Sequence, residues 1–161
     1  MSVKRMIKLM IPGKGVVALE VLVLDFNGTL ALDGNMLESV REHLRRLALL
    51  MDIHILTSDT FGTVKRQCQG LPVQVNVLSS SNHTKEKADY VLNFNPDHVV
   101  AVGNGANDQL MLEKAFLGIG VIGFEGACTS ALLSSDVIVK DIEDAFGLLL
   151  KPQRLKATLR Q

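Results

Sequence analysis

Apolar residues along this chain fall into short runs, and the runs alternate between strand-like and helix-like periods. Ile7 to Ile11 and Val16 to Leu24 flank Pro12-Gly13-Lys14-Gly15, which reads as a hairpin turn feeding one long strand that ends before Asp25. Leu37, Val40, Leu44, Leu47 and Met51 then recur at helical intervals, with Asn35 and Glu38 spaced as a capping box. Ile53 to Leu56 is a short buried strand running into Thr57-Ser58-Asp59. Phe61, Val64 and Cys68 line one face of a helix that Gly70 terminates. Val73, Val75 and Val77 alternate with Gln74 and Asn76, the period of a half-exposed strand at a sheet edge. Lys87 to Phe94 reads as a helix, and the continuously apolar Val99 to Val102 as a central parallel strand. A helix over Asp108 to Ala115, strands at Ile119 to Ile122 and near Val137 to Val139, and a helix around Ile142 to Leu150 complete the series. This order predicts an α/β fold: a parallel sheet with helices on both faces, preceded by an N-terminal β-hairpin.

Composition narrows the picture. The 161 residues suit one domain, divided into a hairpin (1–18), a core (19–150) and a basic C-terminal tail (151–161). Lys and Arg total 17, as do Asp and Glu, so no net charge draws the chain to nucleic acid or an anionic membrane. The one local imbalance is the tail, where Lys151, Arg154, Lys156 and Arg160 stand without an acid and read as a solvated face. Cys68 and Cys128 are isolated, and His43, His54, His83 and His98 are scattered, which argues against a zinc site. No run reaches membrane-spanning length. The expected location is cytoplasmic.

The candidate chemistry sits where strands end. Asp25-Phe26-Asn27-Gly28-Thr29-Leu30 delivers a carboxylate into a glycine-containing turn whose backbone N–H groups can cradle an anion. Asp25 is then a candidate nucleophile toward phosphorus. Thr57 follows the Ile53 strand, and Asn104 and Asp108 follow the Val99 strand within Gly103-Asn104-Gly105-Ala106-Asn107-Asp108. Singly, Thr57 reads as a helix cap and Asp108 as a solvated first-turn acid; their joint placement at one sheet edge favours convergence with Asp25. Two carboxylates brought together repel unless a cation lies between them, and oxygen-only ligands favour Mg²⁺.

These three segments resemble the motifs of the haloacid dehalogenase (HAD) superfamily, in the branch similar to the phosphorylation domain of P-type ATPases. The likeness runs from about Leu19 to Val139. It implies a HAD-like three-layer fold in which Asp25 becomes an aspartyl phosphate. It also implies that Phe26, Asn27, Thr57, Ser58 and a lysine bind the phosphoryl group. Asp25, the Asn27 carbonyl, Asn104 and Asp108 would hold Mg²⁺. Lys87 fits the lysine position because Val91 and Phe94 follow it, whereas Lys85 fits better by distance to Asn104.

The departures are informative. Asn27 stands where most phosphatases of the superfamily carry the acid that protonates the leaving oxygen, and Asn104 stands where the motif has Asp. Only Ala31 to Asp52 separates the first two motifs, enough for a short flap and one helix, and the interval from Asp59 to Lys85 is as brief. No cap domain fits. The expected protein is a capless, slow, Mg²⁺-dependent phosphohydrolase acting on a phosphorylated small molecule or an exposed phosphate of a larger substrate, self-associating to shield its open site. The alternative is a catalytically degenerate, phosphate-responsive or regulatory module.

Overall fold

The computed structural model describes residues 3–161. The first hairpin pairs β1 (Ile7–Ile11) with β2 (Gly15–Leu19) in antiparallel register from Ile7–Leu19 to Ile11–Gly15. Its alternation is the one its sequence dictates: Ile7, Leu9 and Ile11 point inward, and Lys8 and Met10 outward. The expected continuous strand from Val16 to Leu24 is broken at Glu20, and β3 (Val21–Asp25) belongs to a different sheet. A glutamate supplies the break. Glu20 Oε2 pairs with Lys4 Nζ and Oε1 with His98 Nδ1, at 2.7 and 2.8 Å, while its backbone bonds His98 O and Asp52 N.

After β3 the chain folds a small flap from β4 (Ala31–Leu32) and β5 (Asn35–Met36), then enters α1 (Glu38–Leu47). Asn35 therefore does not cap α1. It pairs with Leu32 across a tight turn in which Asp33 and Gly34 both have positive φ, 50° and 78°, the geometry that Asp-Gly favours in hairpins. β6 (Asp52–Thr57), α2 (Thr63–Gln67), β7 (Gln74–Val77), α3 (His83–Leu92), β8 (Val99–Gly103) and α4 (Gln109–Lys114) follow. Next come β9 (Leu117–Val121), α5 (Thr129–Leu133), β10 (Val137–Val139), α6 (Ile142–Leu150) and α7 (Pro152–Leu159).

Six parallel strands form the sheet in the order β10-β9-β8-β3-β6-β7. β3 and β8 lie at its centre, buried throughout, and β7 is the half-exposed edge that its alternation predicts. Two apolar layers flank the sheet. Leu22, Leu24, Ile53 and Ile55 meet Val40 and Leu44 of α1 and Phe146 of α6 on one face; Val21, Val23 and Ala101 meet Val91, Met111 and Ala131 of α3, α4 and α5 on the other. His54 belongs to this second layer, its Nδ1 2.8 Å from Tyr90 Oη and its ring against Phe94, and burial holds it below its usual pKa. Strand order reverses direction between β3 and β8, so their carboxyl ends open onto the crevice where such sheets place ligands. No helix among the described residues is long and apolar enough to cross a membrane.

Two further expectations are corrected. Phe61 is not on the helix after β6: Gly62, at φ 76°, precedes α2, and Phe61 is left 85 % exposed. The tail is more than the expected solvated face: Lys151, Arg154 and Arg160 are exposed, but the segment forms α7, which packs on β1 through Leu155, only 1 % exposed, while Gln161 N bonds Pro12 O. Leu155 and Leu159 supply the inner stripe and the basic residues flank it, so the charge count concealed an amphipathic helix. Truncating Leu155→Ala should therefore cost about 2–4 kcal/mol of stability, as for other buried leucines. Urea unfolding followed by circular dichroism measures this; a cost below about 0.5 kcal/mol would mean that α7 is not docked.

Candidate active site

Each strand on either side of the crevice delivers one polar group. Asp25 is the last residue of β3, Thr57 the last of β6, and Asn104 the first beyond β8. The turn after Asp25 is tightly closed: Phe26 O accepts from the N–H groups of Thr29, Leu30 and Ala31, and Gly28 N donates to Ala31 O. Four amides are thus spent on the turn itself. Those of Phe26 and Asn27 have no backbone acceptor among the described residues and are available to an anion. Gly28 adopts φ 78° and lies so close to Asn104 that a β-carbon there would come within 2.4 Å of Asn104 Nδ2. Glycine is required twice over, for the backbone and for the contact.

Lys87 resolves the electrostatics. It rises from α3, is 2 % exposed, and sets Nζ 2.7 Å from Asp25 Oδ1 and 2.7 Å from Asp108 Oδ1, with Asn107 Oδ1 at 3.3 Å. The cation between the two carboxylates is thus an ammonium. Lys85, two residues earlier, is exposed and pairs with Asp89 instead. Asp108 is fully buried, and its Oδ2 accepts from Asn104 N and Gly105 N at 3.0 and 2.9 Å. Asp108, expected from the sequence to be a Mg²⁺ ligand, faces Lys87 and its own loop with both oxygens taken and no exposed surface, so it anchors the lysine. Gly103 permits this, because a β-carbon there would fall 2.5 Å from the Asp108 carboxyl.

Burial, reinforced by the Asp108 charge, pushes Asp25 up to about 7, against the pull of Lys87. Burial draws Lys87 down, but the two carboxylates more than offset it and hold the lysine above its ordinary value.

Thr57 Oγ1 accepts from Asp59 N at 3.1 Å, leaving its own proton to give to a ligand oxygen. Asn27 and Ser58 are exposed at the mouth. Thr29, which the sequence reading did not single out, is buried with Oγ1 3.2 Å from both Asp25 Oδ2 and Asn104 Oδ1. The only sequence signal for it was its place directly after Gly28. The loop at 122–128 also escaped notice: Asn104 Nδ2 donates to Gly126 O at 3.0 Å, and Cys128 N to Asn104 O at 2.8 Å. Nothing local in the sequence marks that loop as part of the site.

The remaining oxygens suit a hard cation. Asp25, the Asn27 carbonyl and Asn104 Oδ1 offer one carboxylate and two neutral donors, and Mg²⁺ commonly takes one or two carboxylates and completes its shell with water and substrate phosphate. Among the described residues no three His, Cys, Asp or Glu side chains cluster as a metal cage. The set fits Mg²⁺ held weakly.

No protein-family model matches the chain. The uncharacterized protein MJ0073 of Methanocaldococcus jannaschii is 60 % identical over 62 residues, covering 38 % of this chain and 67 % of that protein. Phospholipid-transporting ATPase 10 of Arabidopsis thaliana is 31 % identical over 107 residues, which are 64 % of this chain but only 9 % of the ATPase. Among solved structures, 3-deoxy-D-manno-octulosonate 8-phosphate phosphatase from Moraxella catarrhalis, in complex with magnesium, phosphate and its KDO ligand, superposes with a TM-score of 0.65 at 19 % identity, covering 86 % of this chain and 90 % of that one. The cobalt-bound deoxy-D-mannose-octulosonate 8-phosphate phosphatase of Haemophilus influenzae gives 0.69 at 10 % identity, covering 89 % and 94 %. A structure assigned to HAD subfamily III A from Legionella pneumophila gives 0.69 at 16 %, covering 88 % and 87 %. This chain belongs to the same family as the archaeal protein MJ0073, and its fold is that of the haloacid dehalogenase superfamily.

Proposed function

We propose that the chain is a phosphohydrolase working through an aspartyl phosphate on Asp25. The observation that carries this reading is the Lys87 ammonium held 2.7 Å from Asp25 beside two unspent turn amides and the Thr57 hydroxyl. A phosphate monoester entering the crevice would place its oxygens on the Phe26 and Asn27 amides, Thr57, Ser58 and Lys87. The Asp25 carboxylate attacks phosphorus, the bond to the leaving oxygen breaks, and that oxygen departs with the electron pair. Water then attacks the aspartyl phosphate, releasing inorganic phosphate and returning Asp25 as a carboxylate. Asp25, the Asn27 carbonyl and Asn104 Oδ1 would hold Mg²⁺, which when bound would supply positive charge to the phosphoryl oxygens. Asp108 acts through Lys87, keeping the ammonium in place.

Asn27 limits both steps, since an amide neither donates a proton to the leaving oxygen nor takes one from water. General acid–base help is worth about 10²–10⁴-fold, so its loss slows turnover without abolishing it. The same amide favours the second reading, a phosphate-responsive module without turnover.

Three outcomes test this. In magnesium buffer, p-nitrophenyl phosphate should be hydrolysed, activity should vanish in EDTA, and Asp25→Asn should lower kcat by about 10³-fold or more. Beryllofluoride binding without turnover in the unaltered protein would select the regulatory reading, and retained turnover in pure Asp25→Asn would exclude Asp25 as nucleophile.

Aryl phosphates should react far faster than alkyl phosphates, because only the former leave without a proton. Asn27→Asp should narrow that ratio, raising alkyl turnover by up to about 10²-fold. A ratio already near one in the unaltered protein would show that another group supplies the proton.

Asn104→Asp should behave differently. Its carboxylate would meet the Gly126 carbonyl without a hydrogen, and because the pair is part-buried the penalty falls at the low end of the range for an unmatched acceptor, about 1 kcal/mol. Amide hydrogen exchange across residues 123–128 should quicken about 10-fold or more, read by mass spectrometry. Unchanged protection together with tighter Mg²⁺ binding would make Asn104 a metal ligand alone.

A further inference from the structure

A second feature stands beside the Asp25 site. The loop at 122–128, between β9 and α5, leans over the first motif: a β-carbon on Gly123 would lie 3.4 Å from Gly28 O, and Glu125 Oε2 accepts from Asp33 N of the flap at 3.3 Å. Gly123 N donates to Lys140 O at 2.8 Å, joining this loop to the residues after β10. Between them opens a cleft of about 200 Å³, lined by Gly123, Phe124, Lys140 and Asp141. Phe124 is 83 % exposed. Lys140 is exposed, and among the described residues no carboxylate pairs with it. Asp141, which also lines the cleft, holds its carboxylate toward the start of α6, where Oδ1 accepts from Asp144 N at 3.0 Å. The cleft thus offers one uncovered aromatic ring and one ammonium without an ion-pair partner within 4 Å, at the loop that leans over the turn following Asp25.

We infer that this cleft is the leaving-group subsite, and that the substrate class is a phosphate monoester of an aromatic alcohol carrying a carboxylate. The inference rests on the phosphohydrolase reading above and specifies its substrate. Size agrees: an apolar cavity of about 150 Å³ is enough to hold benzene. The ring of such a substrate packs on Phe124, and its carboxylate meets Lys140. The chemistry agrees independently. Asn27 provides no proton, so the leaving oxygen must depart as an anion. A phenol, with a pKa of about 10, does this far more readily than an alcohol resembling water at about 15.7. Hydrolysis is then balanced without any further reactant: the phenolate leaves from phosphorus, and water later supplies the oxygen of the released phosphate and the proton that the phenolate takes up in solution.

The test separates the subsite from the chemistry. Binding is measured by calorimetry on Asp25→Asn protein in magnesium buffer, with 4-carboxyphenyl phosphate and its neutral isostere 4-carbamoylphenyl phosphate. Lys140 is left unchanged or replaced in Lys140→Gln and Lys140→Glu. The carboxylate ester should bind about 5-fold more tightly than the isostere with Lys140 present. The preference should disappear in Lys140→Gln and reverse in Lys140→Glu, and Phe124→Ala should weaken both esters. With Asp25 intact, the ratio of kcat/KM for the two esters should move in the same order, chiefly through KM; comparing ratios between variants cancels the intrinsic reactivity of each leaving group. Affinities that ignore Lys140 and Phe124 overturn the subsite, even if Asp25-dependent turnover is robust. A Lys140-dependent preference without any turnover overturns the phosphohydrolase reading and leaves the cleft's ligand class standing.

Discussion

Three charged side chains meet inside this protein with almost no water: Asp25, Lys87 and Asp108. Each alone would be costly to bury, and removing any one strands the others, at a typical cost of several kcal/mol. The arrangement is therefore a constraint on the whole chain. β3 must end at Asp25, α3 must present Lys87 toward the sheet rather than to solvent, and the turn after β8 must fold Asp108 back beneath Asn104. The close glycines follow from it. Gly103 makes room for the Asp108 carboxyl, and Gly28 lets the first turn close against Asn104. The Asp25 end of the trio faces the crevice at the carboxyl edge of the sheet, where the unspent amides and Thr57 lie. The Lys87 ammonium and those amides are the groups that attract a phosphoryl oxygen, while the carboxylates attract a cation.

Most of the sheet was legible because buried parallel strands are written as uninterrupted apolar runs, and the runs at Val99 and Ile53 leave no competing assignment. The site's backbone was legible for the same reason: a polar residue directly after such a run is delivered to the sheet's carboxyl edge. What escaped was set by contacts distant in sequence. The break at Glu20 depends on Lys4 and His98, and the fate of the tail depends on the inner face of β1. The lysine that reaches Asp25 could not be selected by spacing. Lys85 and Lys87 are two residues apart on one helix, and only the direction in which α3 packs turns one inward and the other out. The flap turn was missed for a different reason. Asp33-Gly34 carries a clear hairpin signal, but Asn35 and Glu38 offered a competing capping pattern, and the hairpin prevailed.

The two amides of the site are not equivalent, although each stands where a carboxylate occurs in motifs that the chain resembles, position 27 in most phosphatases but not in P-type ATPases. Asn27 is exposed at the mouth, and its side chain serves no contact within the protein among the described residues; its effect is on chemistry. Asn104 is half-buried, and it ties three segments together. It accepts from Thr29 of the first turn, donates to Gly126 of the neighbouring loop, and holds Cys128 through its backbone. An aspartate cannot make the Gly126 bond, because both groups would be acceptors. Loss of negative charge at position 104 therefore has a structural return: it fixes the loop that forms one wall of the cleft beside Phe124.

That coupling bears on how a capless domain obtains specificity. Within this domain the groups that can give a ligand selectivity lie on loops, and an ordered loop serves better than a mobile one, which would spend binding energy on its own ordering. Here the loop at 122–128 is pinned at three points, by Asn104, by Lys140 O and by the flap through Asp33. The flap in turn is closed by Asp33-Gly34 and held by Gln67, whose Oε1 accepts from Met36 N at 2.6 Å and whose Nε2 donates to Gly34 O at 2.7 Å. Every pin is a hydrogen bond between segments far apart in sequence, so the rim is ordered by the same fold that buries Lys87. A rim tied down in this way suits a small, rigid ligand, which loses little freedom on entering. It is poorly suited to long flexible substrates, which gain nothing from a wall that cannot follow them.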